Sequence, residues 1–453
     1  MKPAADTRDA PLWRSFGRNL SVGLVGSGAS VVLKLAQTAL LTKALGVEDF
    51  GRMLVVVNLP AFLESFAGLR VSDALFRFFR QLEGRGDAHA LRGLLLLCLS
   101  LSLTAGLLIA GAVFALSPWV AGRFYHSPGL APLFRIYVCT VLFTSLREVY
   151  EPVLRIHDRF AAVVVPQVLG GLATLAALAA YLSAADAYDL RAIVAAFALG
   201  SLIQSVPPLV SALRLLRPKL SGLDLKAAAR GLKRYRPELL GCMLHSNLSG
   251  YLKFANDPGD VFLLGLFAGP AQVALYGVAR QLTAPLSLLQ SNAQTAVTPQ
   301  LVSLAAAGRL AQARRMVTRY VLAAAAWGLA AVACGLLVGR PLVAWLTRPE
   351  YLAALPVFYV LLVVASLMLA AAVFRPLALG LDMLRWYNLG LLLSTSVVLV
   401  FAAAGMLDAA GMACAQLAGA VIQRVLCNVP VWLRLRAGAG AGEGAAGVAE
   451  PGL

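Results

Sequence analysis

About twelve long apolar runs divide this chain, and short gaps that hold most of the charged residues separate them. Many runs are near twenty residues, the length that an α-helix needs to cross about 30 Å of hydrocarbon. They lack the alternating pattern that is typical of outer-membrane β-strands. The pattern therefore predicts an all-α polytopic membrane protein. The predicted spans are residues 19–42, 53–69, 93–118, 132–152, 160–183, 191–213, 238–256, 261–297, 317–346, 352–374, 386–404 and 411–433.

The composition of the chain supports a membrane location. Of its 453 residues, 60% are hydrophobic and 13% are charged, and the mean hydropathy is +0.78. A soluble protein of this composition would lack the polar side chains that cover a water-exposed surface. The formal net charge of +17 comes mostly from the gaps between the runs. This positive charge is therefore explained by the topology of a membrane protein. Because it needs no nucleic acid to account for it, we expect no nucleic-acid partner.

Lysine and arginine residues are concentrated in alternate gaps. About 28 of them fall in the two termini and the even-numbered gaps, against about 8 in the odd-numbered gaps. Because cytoplasmic loops carry the excess of Lys and Arg, this bias predicts that both termini are cytoplasmic. The same bias supports an even number of spans.

The most basic gap, residues 214–236, divides the chain into two groups of six spans. Its apolar residues recur at near-helical spacing, which predicts an amphipathic segment at the membrane surface. The predicted parts are a cytoplasmic amino terminus (1–18), an N-lobe (19–214), a basic amphipathic cytoplasmic linker (215–236), a C-lobe (237–434) and a disordered Gly/Ala-rich tail (435–453).

Two short stretches at corresponding places in the halves resemble each other in character. Residues 45–51 and residues 268–274 each contain glycine and read as an outward hairpin that leads into a returning span. Repeated halves are common in transporters, where the substrate is held between them. The matched arrangement predicts an internal duplication.

A few cations lie inside the apolar runs, where a charge is costly unless it faces a cavity or a partner. Lys34 lies near the middle of the first span, and Arg280 and Arg424 lie closer to span ends, within reach of headgroups. We interpret these three as candidate substrate-binding residues of a cationic cavity. Arg375 and Lys253 rank below them.

Acidic residues inside the runs are fewer, and they allow two interpretations. Glu64 in the second span is the natural partner of Lys34, in an ion pair that would hold two helices together. In the other interpretation, Glu64 or Asp260 couples transport to a cation.

The chain shows no catalytic or metal-binding pattern. Its four histidines are scattered without a Ser-His-acid or HExxH grouping, and its six cysteines form no CxxC pair. The odd-numbered gaps are short, which leaves little room for an extramembrane active site. We expect no enzymatic activity, no metal site and no cofactor.

Three segments resemble the polysaccharide (O-antigen/exopolysaccharide) flippases of the multidrug/oligosaccharidyl-lipid/polysaccharide exporter superfamily. The first is residues 19–80, with its hairpin LGVEDFG and the following GLRVSDAL. The second runs from Tyr235-Arg236-Pro237 through DVFLLG and YGVAR to Pro299-Gln300-Leu301. The third is the turn LTRPEY at 346–351. Their order and spacing carry the resemblance, because each motif alone is degenerate.

The resemblance implies two six-helix lobes around a central cavity. It also implies a bacterial inner-membrane protein that flips a polyprenyl-pyrophosphate-linked oligosaccharide outward by alternating access. The cavity cations would then meet the pyrophosphate. Expected partners are this lipid-linked glycan and membrane lipids, with glycan polymerase or assembly proteins as further candidates. The alternatives are a cation-coupled drug or metabolite exporter of the same superfamily and, ranking lower, a membrane glycan polymerase or ligase.

Overall fold

The computed structural model describes residues 10–67, 71–123, 125, 127–185, 187–221, 224–251, 259–381 and 383–436. These residues form α-helices, with no β-strand among them. The helices are α1 (Ala10–Ala44), α2 (Val47–Ala67), α3 (Val71–Gly84), α4 (Ala88–Arg123), α5 (Leu130–Val138), α6 (Val141–Ser145), α7 (Arg147–Ile156), α8 (Ala161–Ala184), α9 (Leu190–Leu220), α10 (Leu225–Lys233), α11 (Arg236–Tyr251), α12 (Gly259–Ala268), α13 (Pro270–Ala306), α14 (Leu310–Leu346), α15 (Leu355–Ala371), α16 (Phe374–Gly380), α17 (Leu384–Ala403) and α18 (Ala409–Gln423). A 3₁₀-helix (Pro349–Ala354) precedes α15, and a π-helical segment (Arg424–Asn428) continues α18.

Eight helices in the described part of the chain are long and apolar enough to cross a membrane, judged by length and composition. They are Val25–Ala44, Ala88–Arg123, Ala161–Ala184, Leu190–Lys219, Leu310–Leu346, Pro349–Gly380, Arg385–Ala403 and Ala409–Arg436. Their outer surfaces are apolar, as lipid contact requires. On α14, for example, Leu337 is 80% exposed and Leu329 is 72% exposed.

Two predicted spans are interrupted in the structure. The fourth, 132–152, is built from α5, α6 and α7 in succession. The eighth, 261–297, is wrong as a single span, because α12 ends at Ala268 and α13 begins at Pro270. Gly269 between them has φ of 84°, which glycine adopts without strain, and proline at the first helical position favours a new start. The structure therefore agrees with the turn predicted at 268–274 and not with a continuous helix over 261–297.

The chain divides into two compact units. Described residues of 1–40 and 55–251 form the first unit, and those of 41–54 and 252–453 form the second. The predicted lobe boundaries stay a prediction. Most of the predicted tail, from residue 437, and residues 1–9 lie outside the described part of the chain.

In the first unit, α3 buries an apolar face against α4, α7 and α11. The predicted basic linker contains α10, which packs closely on the start of α4. A Cβ on Gly93 would lie 2.5 Å from the carbonyl oxygen of Ala228, and one on Gly231 would lie 2.8 Å from the backbone nitrogen of Ala90. Because larger residues would collide there, both glycines set the distance between the two helices.

In the second unit, the turn between α1 and α2 is held by the LTRPEY segment. The Arg348 guanidinium donates hydrogen bonds to the carbonyl oxygens of Lys43 (2.8 Å) and Ala44 (3.0 Å). The hydroxyl of the buried Tyr351 donates to the carbonyl of Leu45 at 3.3 Å. These bonds satisfy carbonyl groups that the end of α1 leaves without helical partners.

Candidate functional site

The second unit contains a cavity of about 480 Å³, a size that is typical of ligand sites. Its walls come mainly from α13, α15, α17, α18 and the π-helical segment, with one side chain from α12 and two from α16. All these elements belong to the same compact unit. The cavity is therefore formed entirely by residues of the second unit.

The α13 wall carries a continuous polar stripe. Its members recur every three or four residues, so they share one face of the helix. They are Tyr276, Arg280, Thr283, Ser287, Gln290 and Gln294. This stripe explains why α13, with 37 residues, is not among the helices that qualify as spans by apolarity.

Asp260 lines the cavity and is 1% exposed. Its carboxylate accepts hydrogen bonds from Arg280 Nη1 (2.7 Å), the Tyr276 hydroxyl (2.8 Å) and the backbone N–H of Val261 (2.8 Å). Such charge-assisted bonds compensate a buried carboxylate. The structure thus brings together two predicted site residues, Asp260 and Arg280, as an ion pair.

Arg424 lines the cavity from the first position of the π-helical segment. Its Nη1 donates to the carbonyl oxygen of Ala420 at 2.8 Å, on the preceding turn. Its Nε is buried without a hydrogen-bond partner, and no carboxylate pairs with it among the described residues. A π-helical insertion re-aims the side chains around it and is frequent at functional sites.

Arg375, which the sequence ranks low, also lines the cavity. Its guanidinium carbon lies 5.8 Å from the ring centre of Tyr387 on α17, within the range of a cation–π contact. Helices α17 and α18 approach closely here, because a Cβ on Gly390 would lie 3.3 Å from the Cα of Gln423.

The cavity has an excess of positive charge. Arg280, Arg375 and Arg424 face a single lining carboxylate, that of Asp260. Since Asp260 is paired with Arg280, the other two arginines give the cavity its net charge. Such a cavity favours an anionic ligand.

Two other predicted site residues, Lys34 and Glu64, belong to the first unit. Lys34 is exposed on α1, next to Leu33, which packs against Gly171 of α8. The Glu64 carboxylate accepts a hydrogen bond from the Thr144 hydroxyl at 2.5 Å. Their roles stay predictions. Lys253 lies outside the described residues.

Sequence reasoning missed most of the polar lining. The 4-3-4-3-4 spacing from Tyr276 to Gln294 was a readable signal, since it marks one face of a helix. Arg375 and Tyr387 had no such signal, because the structure brings them together from two different helices. Within the described residues, no group of three or more His, Cys, Asp or Glu could hold a metal ion.

Comparison with known families decides the classification. Residues 16–305 match the family described as polysaccharide biosynthesis protein. The chain belongs to this family. The resemblance drawn from the three sequence segments is thereby confirmed, whereas none of the curated proteins matches the sequence significantly.

Solved structures similar to this family member are transporters. A multidrug resistance MATE family transporter of the MOP superfamily, inward-facing, has a TM-score of 0.67 at 15% identity, covering 90% of this chain and 95% of that one. The lipid II flippase MurJ, inward closed, has a TM-score of 0.64 at 12% identity, covering 91% and 89%. A MOP superfamily transporter from Pyrococcus furiosus, described as having a binding pocket of reverse polarity, has a TM-score of 0.62 at 17% identity, covering 94% and 96%.

These similarities confirm the predicted fold class. This polysaccharide biosynthesis protein is an all-α, multi-pass membrane protein of about twelve spanning helices in two lobes, with a transporter fold.

Proposed function

We propose that this protein moves a polyprenyl-diphosphate-linked oligosaccharide from the cytoplasmic to the outer leaflet of the bacterial inner membrane, by alternating access. The translocated lipid-linked oligosaccharide would then be used in cell-surface polysaccharide biosynthesis. The observation that carries the proposal is the cavity of the second unit, whose arginines outnumber its one, already paired, carboxylate. Membership of the polysaccharide biosynthesis family supports the glycan part of the substrate.

The physical task of such a protein is to shield charge and sugar from hydrocarbon. A bare phosphate or sugar in the bilayer core would lose its hydration without compensation. The outward passage of an anion runs down an inside-negative potential, worth about 2.3 kcal/mol per charge per 100 mV. The protein therefore needs mainly to replace water around the headgroup, which arginines and a polar helix face do.

The predicted substrate-binding residues keep that role in this proposal. Arg280 and Arg424 line the cavity of the second unit, and Lys34 on α1 stays a predicted substrate-binding residue. Glu64 and Asp260 are the acids available for ion pairing or coupling. The arrangement favours pairing for Asp260, since Arg280 already compensates its charge.

A cation-coupled drug exporter of the same superfamily is the main alternative, since multidrug transporters share the fold. A cavity for cationic drugs would present unpaired carboxylates. In the cavity that the structure describes, the lining favours anions. The protein would then act as a transporter and not as a glycan polymerase or ligase.

In the proposed topology, both termini lie in the cytoplasm, as the distribution of Lys and Arg indicates.

The proposed partners are the lipid-linked glycan, the surrounding lipids, and the polymerase or assembly proteins that use the translocated glycan.

Gene deletion in the source organism tests this function in the cell. We expect loss of a surface polysaccharide and accumulation of its lipid-linked precursor, facing the cytoplasm. Restoring the wild-type gene should reverse both effects. If surface polysaccharides and precursor levels stay normal in the deletion strain, the proposed function is wrong.

A further inference from the structure

Helix α10 in the first unit has one basic face and one face packed on protein. Lys226, Arg230 and Lys233 recur at intervals of four and three residues, so they share one face of the helix, and all three are exposed. The opposite face lies against α4. Ala228 on that face is 1% exposed, and a Cβ on Gly231 would touch the backbone of α4. The small apolar face of α10 is therefore used for protein contact, and its basic face points away from α4.

Helix α9 ends with a second basic group, on the side that it exposes to lipid. Val210, Leu213, Arg214 and Arg217 recur at helical spacing along one face, and all four are exposed. Exposed apolar side chains of a spanning helix contact hydrocarbon. The two arginines continue this face by about one turn, or about 5 Å, which matches a headgroup layer about 5–7 Å deep. They therefore lie at the level of the lipid headgroups.

Contacts of α4 place α10 at the same level. The Nε of Arg92, near the start of α4, donates to the carbonyl oxygen of Lys219 in the last turn of α9 at 3.0 Å. The next residue, Gly93, contacts α10, because a Cβ on it would lie 2.5 Å from the carbonyl oxygen of Ala228. The start of α4 therefore adjoins both the end of α9 and α10, within the first unit.

Five cations thus lie around the start of α4, and we call them the basic patch: Arg214, Arg217, Lys226, Arg230 and Lys233. Among the described residues, no carboxylate forms an ion pair with any of them. Lys219 differs, because it pairs with Glu83. The cations of the patch are therefore available to a ligand, whereas Lys219 already has an acidic partner.

We propose that the basic patch binds the headgroups of anionic phospholipids in the cytoplasmic leaflet. Basic groups at the cytoplasmic end of spanning helices attract anionic headgroups. A lipid, and not a soluble acidic protein, is the occupant because the lipid-exposed face of α9 continues directly into Arg214 and Arg217. The proposal concerns the surrounding membrane and not the transported substrate. It rests on the proposed topology only for the choice of leaflet.

The contact would be electrostatic. The basic face of α10 carries no large apolar side chain that could insert between lipid tails, since Ala229 is the apolar residue between its cations. Guanidinium groups donate forked pairs of N–H groups that fit phosphate oxygens. Salt screens exposed charges, so the affinity for anionic lipid should fall as ionic strength rises.

Lipid binding to the purified full-length protein tests the patch. The protein, in a neutral detergent, is titrated with phosphatidylglycerol or with phosphatidylcholine, and bound lipids are counted by native mass spectrometry. Each variant is first checked for an unchanged melting temperature in detergent alone. The patch variants are Arg214→Gln/Arg217→Gln, Arg230→Gln/Lys233→Gln and the charge-retaining Arg214→Lys/Arg217→Lys.

Two double variants are matched controls with the same loss of charge. Arg123→Gln/Arg191→Gln removes exposed arginines from the end of α4 and the start of α9, so it changes the opposite ends of the same two helices. Arg315→Gln/Arg385→Gln removes exposed arginines of the second unit that lie on the cytoplasmic side in the proposed topology. Neither residue of this second pair lines the cavity.

We expect wild type to bind phosphatidylglycerol more tightly than phosphatidylcholine. Each glutamine variant of the patch should weaken phosphatidylglycerol binding about tenfold, the effect of removing two cations near the membrane surface. Arg214→Lys/Arg217→Lys should retain most of the affinity, and both control variants should bind like wild type. About tenfold higher ionic strength should weaken binding to wild type more than binding to the patch variants.

Several results would overturn the proposal. Equal binding of the two lipids to wild type would show that charge plays no part. An equal loss in Arg315→Gln/Arg385→Gln would show a general attraction to the cytoplasmic side and no defined patch. Displacement of phosphatidylglycerol by inorganic phosphate would identify a site for free phosphate, and stronger displacement by polyglutamate would identify an acidic protein as the partner. The proposed transport function does not depend on any of these outcomes, since it is tested by gene deletion and by flipping.

Discussion

Arg280 and Asp260, which both line the cavity, form an ion pair at 2.7 Å across the hairpin of α12 and α13. Asp260 is almost fully buried, whereas the Arg280 side chain keeps 35% of its surface exposed. Among the described residues that line the cavity, Asp260 carries the only carboxylate, so the other lining arginines determine the charge of the cavity.

The first prediction concerns the stability that this pair provides. Asp260→Asn should lower the free energy of unfolding by about 2 kcal/mol, since a charge-assisted hydrogen bond weakens to a neutral one. The melting temperature of the purified protein in detergent measures the effect. Glu350→Gln is the control, because Glu350 is exposed. Equal melting temperatures for both variants would show that the pair contributes nothing.

The second prediction concerns coupling through Asp260. Because Arg280 already neutralises this carboxylate, replacing sodium with potassium should leave the wild-type flipping rate within about twofold, an energy difference well below one charge-assisted bond. A strongly sodium-dependent rate that Asp260→Asn abolishes would show that Asp260 binds the coupling ion.

The third prediction concerns the contact between the two hairpins of the second unit. A Cβ on Gly51 would lie 1.7 Å from the carbonyl oxygen of Pro270. Gly51→Ala should therefore destabilise the protein by about 1–3 kcal/mol, the usual cost of overpacking. Gly46→Ala is the matched control, because nothing lies within 4 Å of its Cβ position. If both variants melt like wild type, the close contact is absent in solution.

The fourth prediction concerns the clamp on the end of α1. Arg348→Ala removes two hydrogen bonds to backbone carbonyls and should cost about 1–2 kcal/mol. Arg340→Ala, an exposed arginine on α14, is the control for loss of charge alone. A melting temperature for Arg348→Ala no lower than that of Arg340→Ala would contradict the clamp.

The fifth prediction concerns topology. In a variant without native cysteines, a membrane-impermeant thiol reagent applied to intact cells should label Met406→Cys but leave Arg230→Cys unlabelled. Both positions are exposed, Met406 in the turn before α18 and Arg230 on α10. The positive-inside bias places position 406 outside and position 230 in the cytoplasm. The reverse labelling would invert the topology.

The sequence predicted the helical membrane fold because hydropathy and charge bias depend only on local composition. The single span drawn over residues 261–297 was wrong, because apolarity continues through Gly269, although the hairpin predicted at 268–274 marked the turn. With the turn placed at Gly269, Asp260 and Arg280 lie at similar distances on either side of it. An antiparallel hairpin then brings them to the same level, so their pairing could have been read from the sequence.

The cationic lining of the cavity depends on packing that no local pattern encodes. Arg375 and Tyr387 lie on either side of a turn and meet through the packing of α16 on α17, whereas Arg424 reaches the same cavity from the segment that follows α18. Lys34 illustrates the opposite difficulty. Its position inside an apolar run marks it as unusual, but only packing decides which partner it meets.

The central claim is that the cationic cavity carries a lipid-linked anionic glycan across the membrane. Its most direct test is the flipping rate of a fluorescent polyprenyl-diphosphate oligosaccharide in proteoliposomes, read as quenching by an impermeant reductant. The account predicts rapid flipping by wild type and Arg385→Gln, with a loss of about tenfold or more in an Arg375→Gln/Arg424→Gln double variant. Flipping by wild type no faster than in protein-free liposomes would contradict the account.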